Sequence, residues 1–130
     1  MLQTRKPRKH TEETLQRAIV RVLNLAQPRI LFFAVPNGGA RSASEGGRFK
    51  AMGVLAGVAD LVLVSHDGRA LFLELKAKGG RQSPAQADFE HACAVSCAPY
   101  AVASNLDEAL AIVRGWFPEV SFPRVSFPRT

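Results

Sequence analysis

Two short apolar runs, VADLVLV at 58–64 and ALFLELK at 70–76, are separated only by SHDGR. Asp67-Gly68 is a strong hairpin signal, because glycine takes the positive φ that a tight turn between strands needs. The two runs therefore read as antiparallel strands. Side chains alternate along a strand, so Asp60, Val62 and Val64 share one face, as do Phe72, Glu74 and Lys76. If those faces coincide, Asp60 and Glu74 converge on an otherwise apolar surface with Lys76 beside them. A buried carboxylate is costly unless it is paired, hydrogen-bonded or bound to a cation. Two of them repel, which raises a pKa unless a cation intervenes. Lys76 neutralises one, whereas a hard divalent cation such as Mg²⁺ neutralises both. A Glu74–Lys76 pair with both tips in water would account for Glu74. It leaves Asp60 unexplained among Ala59, Leu61, Val62, Leu63 and Val64.

The rest of the chain surrounds this hairpin with alternating patterns. Thr11 reads as an N-cap, followed by Leu15, Ile19, Val22, Leu23 and Ala26 at helical spacing, with Pro28 as the stop. ILFFAV (30–35) reads as a buried strand, PNGGARSASEGG as a glycine-rich loop, and Phe49 to Leu55 as a short helix ending near Gly57. Ser83-Pro84 opens a helix running to about Cys97, PYAVAS (99–104) is a short strand, and Ser104 or Asn105 caps a last helix. The order α, β, short α, hairpin, α, β, α predicts an α/β fold with a mixed sheet flanked by helices. One domain over 11–117 is expected, between a basic arm at 1–10 and an extended tail at 118–130 in which VSFPR occurs twice. That tail could lie on its own domain, dock on a partner or stay loose.

Charge and composition narrow the partner. The net charge of +6 favours an anionic ligand such as nucleic acid. Arg5, Lys6, Arg8 and Lys9 supply the arm, and Arg41, Arg48, Lys50, Lys76, Lys78 and Arg81 lie mid-chain. No apolar run reaches the ~18 residues of a membrane span, and no signal-peptide core is present, so a cytoplasmic protein without a membrane partner is expected. The glycine-rich loop matches neither G-x-x-x-x-G-K-[ST] nor G-x-G-x-x-G, so no nucleotide cofactor is expected. Cys93 and Cys97 read as buried thiols on one helix face rather than as a metal pair.

Two further polar residues fall on inward faces. Glu12 lies on the apolar stripe of the first helix, whereas Glu13 points away. Interaction with the helix dipole would also explain an acid there. Gln86 shares a face with Phe89 and Cys93, close to the strand end that carries Lys76. It also has the S-x-x-Q capping-box spacing from Ser83.

An acid on one strand followed by Glu74-Leu75-Lys76 on the next resembles the PD-(D/E)-x-K nuclease site. VPNGGARS, GVLAGVADLVLV, LFLELKAKGGRQSPAQ and EETLQRAIVRVL, in that spacing, are similar to the virus-type replication–repair nuclease (VRR-NUC) domain over about residues 12–114. The resemblance implies a restriction-endonuclease-like core. It implies Mg²⁺ or Mn²⁺ held by Asp60, Glu74 and the Leu75 backbone carbonyl, with Glu12 completing the shell directly or through water. Lys76 would be catalytic and Gln86 the motif glutamine. Asn37, Gly38 and Arg41 match the family's P-N-G-G-x-R loop and imply DNA contact, as do Lys78 and Arg81. Ala59 replaces the proline that usually precedes the strand aspartate, a change that removes no ligand. Small stand-alone members imply a homodimer acting on branched DNA, Holliday-junction-like or flap, in a bacterial or phage setting. A junction-binding module without turnover is the other reading that this surface allows.

Overall fold

The computed structural model describes residues 8–36 and 43–123. In chain order it forms α1 (Arg8–Leu23), β1 (Leu31–Ala34), α2 (Ala43–Ala51), β2 (Leu61–Val64), β3 (Ala70–Leu75), α3 (Pro84–Val95), β4 (Tyr100–Ala103) and α4 (Leu106–Trp116). The sheet order is β1-β2-β3-β4, with β1–β2 and β2–β3 antiparallel and β3–β4 parallel. This is the expected element order and a mixed sheet. No helix among the described residues is long and apolar enough to cross a membrane.

Strand alternation divides the core in two. Leu61 and Leu63 of β2, with Leu71, Leu73 and Leu75 of β3, face α1 and α4. There they bury against Ile19, Leu23, Ala109, Val113 and Phe117. Full burial of each such side chain contributes about 1.5–3 kcal/mol. The opposite face carries Phe72 and Tyr100, which pack on Phe89 and Cys93 of α3. Phe72 and Phe89 meet edge to face at 5.0 Å. In the hairpin, Ser65 and Gly68 close the turn, and Gly68 adopts φ 88.

Several sequence expectations shift. α1 starts at Arg8, ahead of the N-cap assigned to Thr11, because Arg and Lys are good helix formers. It ends at Leu23, and hydrogen-bonded turns, not Pro28, carry the chain onward. β1 is an edge strand with Leu31 and Phe33 exposed, not a buried one, because α3 covers only the β3–β4 side of that face. The second half of the glycine-rich stretch is helical, since α2 begins at Ala43 and accommodates Gly46 and Gly47. α3 stops at Val95, and Cys97 turns with φ 57 into the β4 connection, so Cys97 is exposed while Cys93 is buried.

Residues 118–123 lie on their own domain. Ser121 exchanges backbone hydrogen bonds with Gln27, and Val120 and Phe122 pack against the larger core. The Arg114 guanidinium sits 5.8 Å from the centre of the Phe122 ring. His66 clamps this return. Its Nδ1 lies 2.6 Å from a Glu119 carboxylate oxygen and its Nε2 lies 3.1 Å from the Arg29 carbonyl. Both partners only accept, so the ring satisfies both as the imidazolium. The Arg29 carbonyl and the Glu119 carboxylate accordingly raise the His66 pKa above its ordinary 6.5. A raised folded-state pKa contributes stability that is complete below the unfolded value and is lost as pH rises through the folded one. Thermal unfolding of H66Q is expected to lack the part of the stability decline above pH 6.5 that the wild type shows. Parallel pH profiles for the two proteins would contradict the clamp.

Candidate active site

The hairpin register extends naturally to the acids. Leu61 pairs with Leu73 and Val62 with Phe72, so the next step sets Asp60 opposite Glu74. Both side chains therefore emerge on the α3 face. Asp60 lies just before β2, where the regular ladder ends. The N–H of Leu75 donates to Asp60 Oδ2 at 2.8 Å, taking the carboxylate where a backbone carbonyl would continue the ladder. In a strand the N–H and C=O of one residue point the same way, so the Leu75 carbonyl is directed to the Asp60 side. Asp60, Glu74 and the Leu75 carbonyl thus share one strand end, as the sequence led one to expect.

Glu74 is 1% exposed. Its Oε1 accepts from Gln86 Nε2 at 3.1 Å, while its Oε2 is buried with no hydrogen-bond partner. Burial first, then the charge of Asp60 and a hydrogen bond that protonated Glu74 can give Asp60, pushes the Glu74 carboxyl up to about 8; Lys76 opposes the rise and Glu12 adds to it. An orphaned carboxylate oxygen in such a place calls for a proton or a cation.

Gln86 makes the capping box that its spacing suggested, and its amide also reaches Glu74. Its Oε1 accepts from the Ser83 backbone N–H at 2.8 Å, completing a capping box at the start of α3, and its amide nitrogen reaches Glu74. The helix cap therefore fixes the orientation of the amide that holds the acid. Glu12 is half-buried while Glu13 is exposed and paired with Arg17, as the helical wheel requires. Glu12 Oε1 accepts from the N–H of Ala77, the residue after Lys76, at 3.1 Å. It docks α1 on the end of β3, but no three His, Cys, Asp or Glu side chains among the described residues form a metal-holding group. Glu12 stands beside the pair and acts on it through its charge.

Lys76 continues β3 by donating its backbone N–H to Ala103, and its side-chain stem packs at Gly80, where an added Cβ would come 3.5 Å from Cδ. Lys78 and Arg81 are exposed on the turn that follows. Asn37, Gly38 and Arg41 lie outside the described residues.

Three residues went unseen in the sequence. The Gln82 amide donates to the Tyr100 hydroxyl at 3.1 Å and to Glu90 at 2.9 Å, tying the turn after Lys76 to β4 and α3. Burial and then the Glu74 charge push the Tyr100 phenol up to about 12. Only the β3–β4 pairing, which sets Tyr100 beside Phe72, brings them together, and no motif spacing encodes it.

The donors here are all oxygen: two carboxylates and a backbone carbonyl. That set, with one unsatisfied carboxylate oxygen, fits Mg²⁺ or Mn²⁺. The raised Glu74 pKa has a definite sign. The folded protein keeps a proton that the unfolded chain releases above pH 4.5, so metal-free stability falls as pH rises towards about 8. E74Q is expected to lose this part of the decline, and added Mn²⁺ is expected to raise the wild-type melting temperature at pH 8 but not that of E74Q. Equal pH slopes and equal Mn²⁺ responses in calorimetry would contradict the assignment.

A solved structure described as a VRR_NUC domain protein superposes with a TM-score of 0.68 at 22% identity, covering 90% of this chain and 92% of that chain. No protein-family model matches the sequence, and no curated protein matches it. The chain therefore has a VRR-NUC-like fold, the α/β architecture of the restriction-endonuclease-like nucleases.

Proposed function

We propose that this chain is an Mg²⁺- or Mn²⁺-dependent deoxyribonuclease that hydrolyses phosphodiester bonds in branched DNA. The observation that carries the reading is the Asp60–Glu74 pair, with a buried, unpartnered Glu74 oxygen and Lys76 on the same strand. A fold of VRR-NUC type with a nuclease-like arrangement of acids and amine supports it.

Asp60, Glu74 and the Leu75 carbonyl would hold the metal, with Glu12 completing the shell directly or through water. Such a metal would supply polarisation of a phosphate oxygen and a lowered pKa for water. The protein's own groups do the rest. Lys76 orients or deprotonates the attacking water, or stabilises the charge that builds on the phosphorane. A water oxygen bonds to phosphorus, one P–O ester bond breaks, and the departing oxygen takes up a proton. Gln86 holds Glu74 in place from the α3 cap. Lys78 and Arg81, exposed on the turn after β3, provide phosphate contacts, and a DNA-contacting role is proposed for Asn37, Gly38 and Arg41 from their motif alone.

The same reading pairs two copies of the chain. The exposed Leu31 and Phe33 on edge strand β1 offer an apolar face that a two-fold partner would cover. Two sites related in this way match the symmetry of a four-way junction.

Cleavage assays with Mg²⁺ on four-way, flap and linear DNA test the proposal. K76A is expected to lose at least about a hundredfold in rate while still binding DNA, as removal of one general-base or charge-stabilising group does. D60N is expected to lose cleavage and to weaken metal binding. A K76A protein cutting at the wild-type rate would remove Lys76 from the chemistry. Salt-sensitive junction binding by a wild-type protein with no turnover would favour a binding module instead.

A further inference from the structure

The segment between α2 and β2 is MGVLAGVAD, and its first half makes an apolar point. Met52 is 67% exposed, Val54 47% and Leu55 59%. Leaving three such side chains in water is unfavourable, so this patch marks a contact surface. It is not a loose loop. Gly53, at φ 93, follows the end of α2, its N–H bonds the Lys50 carbonyl, and the Val54 N–H bonds the Phe49 carbonyl. That is the glycine-terminated Schellman cap, which holds the point rigidly on the helix. Further along, Gly57 at φ 80 presses on α3, where an added Cβ would lie 2.2 Å from the Ala85 carbonyl oxygen. Ala85 neighbours Gln86, which holds Glu74. The point is therefore anchored to the same helix turn as the acid pair.

Its surroundings select the partner. Arg48 and Lys50 occupy the last turn of α2, both exposed and next to the point in sequence. Val54 and Leu55 form one wall of a cleft of about 670 Å³ whose other walls include Phe49, Lys50, Ala85 and Phe89. Acids nearby are Glu45, at the other end of α2, and Asp88, across the cleft. Apolar side chains next to cations, anchored through Gly57 to the helix turn whose Gln86 holds Glu74, match unstacked bases and their phosphates. The exposed face of β1 is a separate matter, because Leu31 pairs with Val64, at the strand end away from Asp60.

We propose that Met52, Val54 and Leu55 form a wedge that stacks against unpaired or unstacked bases at a DNA branch and thereby sets the substrate shape. The inference rests on the nuclease reading and names its specificity element. Reach gives it a number. Leu55 and Asp60 are five residues apart in the sequence, at most ~18 Å of extended chain. At ~3.4 Å per nucleotide of one strand, the cut falls within about five nucleotides of the unstacked step.

The test uses the full chain and its M52S/L55S variant, with unfolding curves to establish that these exposed substitutions leave the fold intact. The ratio of flap to linear-duplex cleavage is expected to fall about tenfold in the variant, the loss expected for a base-stacking contact. In the K76A background, a flap carrying 2-aminopurine at the branch is expected to brighten on binding, and to stay dim with K76A/M52S/L55S. An unchanged cleavage ratio, or equal loss on both DNA shapes, overturns the wedge and leaves the nuclease reading standing. Brightening without any cleavage by the wild-type protein supports the wedge and overturns the nuclease reading. A change of oligomeric state in sedimentation of M52S/L55S, with the flap ratio retained, assigns the point to protein contact and overturns the wedge.

Discussion

Two carboxylates at the end of one hairpin, Asp60 and Glu74, set the terms for everything around them. Bringing them together under a helix is unfavourable, and the fold offsets that cost with specific contacts. The Leu75 N–H takes one Asp60 oxygen, the Gln86 amide takes one Glu74 oxygen, and Lys76 lends its charge. One Glu74 oxygen is still left without a partner. A chain selected only for stability would replace such a group with an apolar one, at little loss or even a gain. Under the proposed function, a cation from outside the protein would complete the electrostatics of this pair.

The architecture serves this strand end. The α1–α4 face of the sheet is a plain aliphatic core, and its burial secures the hairpin. The α3 face is thinner, with Phe72, Phe89, Cys93 and Tyr100 as its apolar part and the acids at its margin. α3 begins with a capping box whose glutamine also holds Glu74, so the end of a helix and the end of a strand are joined by one side chain. α1 contributes at the same place, with Glu12 accepting from Ala77. Three elements thus converge where β3 ends, and that end opens on the turn bearing Lys78 and Arg81.

How much of this was legible in the sequence follows from which interactions are local. The hairpin was readable because Asp67-Gly68 fixes the turn, and period-two alternation then sets Asp60 across from Glu74. The inward face of Glu12 was readable because helical periodicity is local too. The Gln86 capping box was readable from the S-x-x-Q spacing, whereas its bond to Glu74 depends on where α3 packs against the end of β3. What could not be read depends on contacts distant in sequence. The exposure of β1 depends on how far α3 extends across the sheet. The Tyr100–Gln82–Glu90 link needs the β3–β4 pairing. The start of α2 was hidden because Gly46 and Gly47 oppose helix by about 1 kcal/mol each, and only the surrounding structure overrides that preference. The bond that Glu12 accepts from the Ala77 N–H has no signature in residue spacing.

Calorimetric titration of Mn²⁺ into the metal-free protein at pH 7, repeated in two buffers of different ionisation enthalpy, tests the central claim most directly. If the acid pair is a cation site, binding is saturable and releases a proton from Glu74, so the apparent heats differ between the buffers. Absence of saturable binding, or binding with identical heats in both buffers, would contradict it.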